Sequence, residues 1–236
     1  MLGVAVSDRT TDQSSVVHGA AEPPLPHLPL WRRRAKRAGI AVLAVAALVL
    51  PVGGAVAYST AAPASAATCG TWRWPVKTGS DASRYQVSKS VTYTSVNYLH
   101  TLVAPSSTSL NSSYAHNHRI KWPEFRTWQI RGVTLVAIKL EDDGDLHLRL
   151  RSSTGALMIA EIPQPGCVSS YSLWKTGITA ARSYLTSRYS VSLYHWHYIY
   201  RSVNVQGLGF FDEEHNVTGA APNDFELHPV TYIHLN

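Results

Sequence analysis

Residues 141–162, EDDGDLHLRLRSSTGALMIAEI, contain two short strand patterns joined by turns. Asp143-Gly144 favours the positive φ angles of a tight hairpin turn. In residues 145–151, DLHLRLR, the leucines lie on one face of a strand and the polar side chains on the other. Residues 156–162, ALMIAEI, are apolar enough to be a partner strand. The stretch therefore predicts antiparallel β-structure at the centre of the fold.

The segments on either side of this stretch complete the order of elements. Residues 127–140 are β-branched and apolar, which predicts a long first strand. Residues 172–189 repeat apolar side chains at helical spacing and predict one amphipathic helix. Two further strands are predicted at residues 202–208 and 225–235.

Three strands, a helix and two strands form the element order of an OB-fold, a five-stranded Greek-key barrel. The predicted fold is therefore mainly β with one main helix: an OB-like barrel (β-β-β-α-β-β) over residues 126–236. Residues 67–125 are predicted to be an N-terminal extension of the mature domain. A generic α+β sandwich with the same elements is the alternative. In the barrel, we expect the last strand to close against the first, which would leave the second and last strands apart.

Residues 1–66 have the composition of a delivery segment. A basic cluster at residues 31–37 precedes an apolar run at 40–52, and small residues end in Ala-Ser-Ala at 64–66. This is the order of a secretory signal peptide with a long basic n-region. An uncleaved membrane anchor is the alternative, because the run extended to Tyr58 is about long enough to span a bilayer. Either way, we expect a secreted or extracytoplasmic domain that meets the membrane during export or through the anchor.

The two cysteines, Cys69 and Cys167, both follow the predicted signal. An even pair in an exported domain predicts one disulfide. Two free thiols or a metal site are the alternatives, and the missing C-x-x-C spacing argues against the metal site.

Composition and missing motifs give no support to several classes of function. The chain has a formal net charge of +6, but after residue 66 fifteen Lys/Arg oppose twelve Asp/Glu, a net charge of +3. This part has no run of Lys/Arg, so its charge alone does not indicate a nucleic-acid partner. The chain also lacks a G-x-S-x-G elbow, a P-loop, a dinucleotide fingerprint and a C-x-x-C pair, so the usual hydrolase, kinase and redox classes gain no support.

The first polar cluster lies in residues 141–147, EDDGDLH. Asp145 and His147 share one face of a strand, and carboxylate and imidazole groups bind divalent metals or transfer protons. We expect Glu141 to support them. The alternative is a hairpin turn that is rich in acids because it is exposed to water.

The second polar cluster lies in residues 210–230, FFDEEHNVTGAAPNDFELHPV. Glu226 and His228 share a face of the last strand, which makes them candidate ligands for a divalent metal. The loop before this strand supplies two candidate catalytic residues, Asp212 and His215, and one expected supporting residue, Asn223. In the alternative interpretation, the loop side chains bond the backbone and the strand pair closes the mouth of the barrel.

Residues 192–200, SLYHWHYIY, place a row of aromatic side chains on one side of a strand: Tyr194, Trp196, Tyr198 and Tyr200. An exposed row of this kind stacks sugars or bases, which gives a case for a glycan or nucleic-acid partner. The alternative is a packed hairpin that covers one end of the barrel.

Two long motifs resemble a family of exported bacterial hypothetical proteins. The motifs are KLEDDGDLHLRLRSSTGALMIAEIPQPGCV at residues 139–168 and GLGFFDEEHNVTGAAPNDFELHPV at residues 207–230. The family pattern is an E-D-D-x-D-x-H-L strand followed by an F-F-D-x-x-H-x-x-x-G-x-A-x-N-x-x-E-L-H-P-V block, and the resemblance covers most of residues 69–236. It implies export and an OB-like barrel, and it implies no activity.

The family pattern matches this chain at most of the candidate site residues: Glu141, Asp142, Asp145, His147, Asp212, His215, Asn223, Glu226 and His228. Where the family has Gly-Gln after the loop histidine, this chain has Asn216-Val217. A shared activity that used the glutamine is therefore weakened here.

Two classes of function remain open from the sequence. The first is a binding module for an extracellular ligand: a glycan, a nucleic acid or a metal ion. The second is a metal-dependent hydrolase of phosphodiester type, with His215 as base and an ion held by Asp145, His147, Glu226 and His228. The hydrolase requires these groups to converge, and a separation of more than about 10 Å between His147 and His228 would exclude a shared ion.

Overall fold

The computed structural model describes residues 68–214 and 217–236. Its strands, numbered in chain order, are β1 (Val91–Thr94), β2 (Thr127–Leu140), β3 (Leu146–Arg151), β4 (Leu157–Ile162), β5 (His197–Phe211) and β6 (Phe225–Leu235). Its α-helices are α1 (Trp74–Lys77), α2 (Val96–Leu99), α3 (Ser107–Leu110) and α4 (Lys175–Thr186). Short 3₁₀ turns lie at Arg84–Gln86, Trp122–Phe125 and Pro165–Cys167.

Five strands close into a barrel in the order β2-β3-β4-β6-β5, and β5 pairs back onto β2. The remaining strand, β1, pairs in parallel with β2. This arrangement confirms the predicted fold class, a mainly β OB-like barrel with one main helix.

The predicted closure of the barrel was wrong in one detail. The last strand, β6, pairs in parallel with β4 and antiparallel with β5, and it does not pair with the first barrel strand, β2. The reason is that β2 has no free edge, since β1 and β3 occupy one edge and β5 occupies the other. The third barrel strand, β4, therefore lies between the second, β3, and the last, β6, which determines where the polar clusters meet.

The apolar faces predicted from the sequence form the core. Leu146, Leu148 and Leu150 of β3 are fully buried. Helix α4 is shorter than predicted, and it buries Ile178 and Leu185 against the same cluster. Complete burial of such side chains contributes about 1.5–3 kcal/mol each, so this face fixes the register of β3.

The predicted disulfide is confirmed, since Cys69 and Cys167 are bonded with their Cα atoms 5.5 Å apart. A disulfide of this kind suggests an extracytoplasmic environment. In the described part of the chain, no helix has both the length and the apolar character needed to cross a membrane. The predicted signal or anchor in residues 1–66 lies outside the described residues.

The segment before the barrel is held to it by buried arginines. Arg73 donates to both carboxylate oxygens of Glu124, at 2.8 and 2.9 Å, and to the backbone oxygen of Phe211 at 2.9 Å. Neither the Arg73 nor the Glu124 side chain is exposed. This contact places α1, and with it Lys77, next to the end of β5.

Candidate metal centre

Three neighbouring barrel strands bring the two polar clusters of the sequence together. His147 on β3 lies directly opposite Glu161 on β4. The β4–β6 pair aligns Ala160 with Leu227, which puts Glu161 beside His228 on β6. The separation that would have excluded a shared site is therefore absent, because both histidines contact the same carboxylate.

Asp145, Glu161 and His228 form a compact set of potential metal ligands. One ligand atom from each residue lies within 4.8 Å of the other two. Oδ2 of Asp145 is 3.1 Å from Nε2 of His228, and Oε2 of Glu161 is 3.1 Å from Nδ1 of the same ring. All three side chains are buried, and His228 has no exposed surface.

The contacts around His228 have the spacing of an ion pair without the alignment of hydrogen bonds. Both ring nitrogens of His228 and Oδ2 of Asp145 are buried and have no hydrogen-bond partner. A hydrogen bond needs its acceptor near the N–H direction, so the carboxylate oxygens lie off that direction. Two ligand atoms that share an ion at about 2.1 Å each, at right angles, lie about 3 Å apart. A single ion binds one nitrogen of the His228 ring, so the 3.1 Å spacing fits an ion shared by that nitrogen and the carboxylate beside it, with the third ligand atom within 4.8 Å.

The charges of the set favour an ionised Glu161 beside the His228 ring. Burial lowers the pKa of His228, but the adjacent carboxylates of Asp145 and Glu161 outweigh it and raise that pKa above its ordinary value. Burial raises the pKa of Glu161, but the rings of His147 and His228 outweigh it and hold that pKa well below its usual range. A positive charge at this point, whether a proton or a metal ion, is therefore stabilised.

Glu226 lies beside the ligand set and has a different protonation preference. Its Oε2 is 4.0 Å from Nδ1 of His228 and is buried without a hydrogen-bond partner. Burial raises the pKa of Glu226 well above its usual range, and the negative charges of Asp212 and Glu161 add to this rise. Glu226 therefore favours its protonated form in the metal-free protein.

Lys77 supplies a cation beside the cluster. Its Nζ is 3.5 Å from Oδ1 of Asp212. Burial lowers the pKa of Lys77, but the carboxylates of Asp212 and Glu161 outweigh it, so the pKa is raised and the ammonium stays charged. Helix α1 thus places a permanent positive charge next to the cluster.

His147 joins the cluster from the other side of Glu161. Its Nδ1 is 2.8 Å from Oε1 of Glu161 and 3.7 Å from Oε1 of Glu141. Trp196 meets the His147 ring edge to face at 5.2 Å, and the Arg149 guanidinium lies 4.2 Å from the Trp196 ring. Trp196 therefore covers His147 and does not belong to a free aromatic row.

A pocket of about 180 Å³ opens beside the ligand set. Its lining includes Lys77, His147, Glu161, Asp212 and Glu226. The cluster is therefore buried from bulk solvent on most sides but has space for small groups at one side.

The structure brings together five of the predicted site residues: Asp145, His147, Asp212, Glu226 and His228. Glu141 lies at the margin of the cluster, with its side chain 36% exposed. Asn223 is elsewhere, since its amide donates to the backbone oxygens of Leu99 and Leu102 at 2.9 and 2.8 Å. His215, the predicted base, lies outside the described residues.

Sequence reasoning missed Glu161 and Lys77. The signal for Glu161 was present, because it is the one charged residue in the apolar strand pattern ALMIAEI. Lys77 had no such signal, because it lies in a four-residue helix of a segment without a clear pattern.

The predicted aromatic row is only partly formed. Tyr198 and Tyr200 are exposed on β5 and stack with their ring centroids 5.9 Å apart. Tyr194 is also exposed, but it and Trp196 precede the strand, which begins at His197.

Comparisons with known proteins give no match to a protein-family model, a curated protein or a solved structure. Membership in the exported bacterial family stays a prediction.

Proposed function

We propose that this β-barrel domain binds a divalent metal ion, Zn²⁺ or Mn²⁺, through Asp145, Glu161 and His228. The observation that carries the proposal is the burial of both His228 nitrogens between two carboxylates, without hydrogen bonds to either. Buried polar atoms normally have partners, and a metal ion on one nitrogen of the His228 ring would be a partner for that nitrogen and for the carboxylate oxygens around it.

The donor set selects the kind of ion. One imidazole and two carboxylates suit Zn²⁺ or Mn²⁺, whereas Ca²⁺ takes six to eight oxygen ligands. Three protein ligands leave coordination positions open for water or for a ligand. Glu226 would orient such a water, because its Oε2 lies 4.0 Å from Nδ1 of His228.

The test is metal analysis of the purified full-length protein, followed by calorimetric titration of the metal-stripped protein with Zn²⁺ and Mn²⁺. We expect one ion per chain, and a loss of binding in His228→Ala. Asp145→Asn keeps the side-chain volume and serves as a second variant if His228→Ala unfolds. His195→Ala changes an exposed histidine and is the matched control. Binding that is equal in Asp145→Asn, His228→Ala and the control would contradict the proposal, as would wild type without any bound metal.

A second candidate, the metal-dependent hydrolase of phosphodiester type, is favoured by the pocket next to the ligand set. A bound divalent ion would supply a Lewis acid and an activated water. Lys77 would stabilise negative charge on a phosphoryl oxygen, because its ammonium group lines the pocket. His147 lines the same pocket and would orient groups of the substrate there.

Hydrolysis is tested with metal-loaded protein on bis(p-nitrophenyl) phosphate and on supercoiled plasmid DNA. We expect Lys77→Gln to lose most of the activity while it keeps the metal, because Lys77 is not in the ligand set. A metal-loaded wild type that cleaves neither substrate would leave metal binding standing and remove the hydrolase.

We place the domain outside the cytoplasm as a secreted protein. The Cys69–Cys167 disulfide and the signal-like order of residues 1–66 support this placement. Expression of the full chain in a bacterial host, with the N-terminus of the product determined, checks it. A new N-terminus near residue 67 is expected, whereas uncut protein in the membrane fraction would favour the anchor.

A further inference from the structure

A second, larger groove of about 640 Å³ lies at the start of β2, and none of its lining residues belongs to the metal cluster. Its lining comes from β1, the start of α2, the 3₁₀ turn before β2 and the start of β2 itself. It consists of Thr92, Tyr93, Thr94, Ser95, Tyr98, Trp122 and Trp128. Its lining therefore combines aromatic rings with hydroxyl groups.

Three large rings in this groove are exposed to solvent. Tyr93 is 60% exposed, Tyr98 49% and Trp122 51%. Trp128 lies beneath them at 1% exposure, with its Nε1 donating to the backbone oxygen of Pro123 at 2.9 Å. The Trp122 ring meets Trp128 edge to face at 5.7 Å, and Tyr98 lies 6.2 Å from the same ring. The exposed rings are thus fixed on a buried support.

Two arginine side chains stack on these rings. The Arg131 guanidinium lies 4.0 Å from the centre of the Tyr93 ring, and that of Arg126 lies 5.1 Å from the Trp122 ring. Within residues 68–214 and 217–236, neither guanidinium is in an ion pair with a carboxylate. A guanidinium that stacks on a ring keeps its N–H groups in its own plane, where they can bind phosphate.

The segment that forms the groove has an excess of cations. Arg119 is buried against Asp81 and Lys139 pairs with Glu141, but the other five Lys/Arg between residues 82 and 140 are accompanied by a single acid, Glu124. That acid is buried and paired with Arg73, so it does not offset the exposed cations. Strand β5, which pairs with β2 behind the groove, contains no Asp or Glu. The modest net charge of the mature domain therefore hides a cationic aromatic face, because most acids lie near the metal cluster.

We infer that this groove binds single-stranded nucleic acid, with unpaired bases on Tyr93, Tyr98 and Trp122 and phosphates on Arg126 and Arg131. Exposed rings with adjacent cations stack bases and hold a phosphate backbone without sequence preference. A neutral glycan would stack on the rings but would not use the two arginines. A duplex keeps its bases stacked inside the helix and offers no faces to the rings.

The test is fluorescence anisotropy of fluorescein-labelled oligothymidine with the full-length protein, in EDTA. The chelator removes the proposed metal, so failure of the metal proposal does not affect the result. We expect Tyr93→Ala and Trp122→Ala each to weaken binding at least about 5-fold, the effect of losing one base–aromatic stack. Tyr171→Ala is the matched control, since Tyr171 is 73% exposed and lies outside the groove.

The arginine contacts are tested by salt dependence. Arg131→Gln is expected to weaken binding and to reduce the slope of log affinity against log salt by about 0.7, the value for one phosphate on a single strand. Arg188→Gln is its control, because Arg188 also stacks on a tyrosine, with its guanidinium 3.8 Å from the Tyr184 ring.

Three results would overturn the inference. The first is no binding of oligothymidine, and the second is binding that the groove variants weaken no more than their controls do. The third is equal binding of a duplex or of a sulfated polysaccharide with the same dependence on Tyr93 and Trp122. The last result would make the groove a site for anionic polymers in general, without base stacking.

Discussion

His147 and Glu161 face each other across the β3–β4 pair, with Nδ1 of the histidine 2.8 Å from Oε1 of the carboxylate. The other carboxylate oxygen of Glu161 is 3.1 Å from Nδ1 of His228. One side chain thus links two histidines that are far apart in the sequence. It does so because β4 lies between β3 and β6 in the barrel.

Glu161→Gln should therefore reduce metal affinity strongly. The amide keeps the volume of the side chain but removes a negative ligand and the charge that orients both imidazole rings. We expect the affinity for Zn²⁺ to fall at least about 10-fold, measured by calorimetric titration of the metal-stripped protein. Glu213→Gln, at an exposed position, is the control. Equal affinities in the two variants would remove Glu161 from the ligand set.

The buried pair of Arg73 and Glu124 should be essential to stability. Removal of one partner leaves the other as a buried, unpaired charge, which costs about 3–5 kcal/mol of unfolding free energy. We expect Glu124→Ala to lose this amount in denaturant unfolding. Lys139→Ala breaks a pair whose side chains are 28% and 36% exposed, and it should cost about 1 kcal/mol or less. Similar losses in the two variants would show that the buried pair has no special role.

The β-strand elements were predictable because their signals are local. Leu146, Leu148 and Leu150 alternate with polar residues, and they all point into the core as predicted. The closure of the barrel was not predictable, because it depends on which edges of β2 are free. Strand β5 is one continuous strand, but the sequence predicted two, at residues 192–200 and 202–208. The patterns on either side of Arg201 differ, so they do not show that one strand continues through this residue.

The sequence predicted only those site residues whose polar side chains contrast with an apolar segment around them. His147, Glu226 and His228 interrupt apolar strands, Asp145 directly precedes one, and the barrel brings the four together. Lys77 reaches the cluster through a helix anchored by the Arg73–Glu124 contact, which joins residues 51 positions apart. No periodicity encodes such a contact, so the sequence alone does not reveal it.

Asp81 should make stability depend on pH. Its side chain is buried, with Oδ2 3.3 Å from Nη2 of Arg119, and burial raises its pKa above the ordinary value despite that charge. The folded protein therefore binds a proton more tightly at Asp81 than the unfolded chain does. The stability from this proton is fully present below the unfolded pKa of about 4 and is lost as the pH rises through the folded pKa.

Asp81→Asn removes this titration. The unfolding free energy of Asp81→Asn minus that of wild type should therefore increase as the pH rises above about 4. Urea unfolding at a series of pH values, in EDTA, measures this difference. Asp142→Asn changes an exposed acid and should give a nearly constant difference. A constant difference in Asp81→Asn as well would mean that the buried carboxyl titrates as it does in the unfolded chain.

Gly209 of β5 packs closely against the 3₁₀ turn at Trp122–Phe125. This turn contributes Trp122 to the aromatic groove. A Cβ added at Gly209 would overlap the backbone oxygen of Pro123 and come within 2.8 Å of the Phe225 ring. Backbone cannot move aside as a flexible side chain can, so Gly209→Ala should lower the unfolding free energy by about 1–3 kcal/mol. Gly166→Ala, where a Cβ meets nothing within 4 Å, is the matched control. The same oxygen of Pro123 accepts from Trp128, so the variant should also weaken oligothymidine binding more than Gly166→Ala does. A variant as stable as the control would show that β5 and the turn can separate without loss.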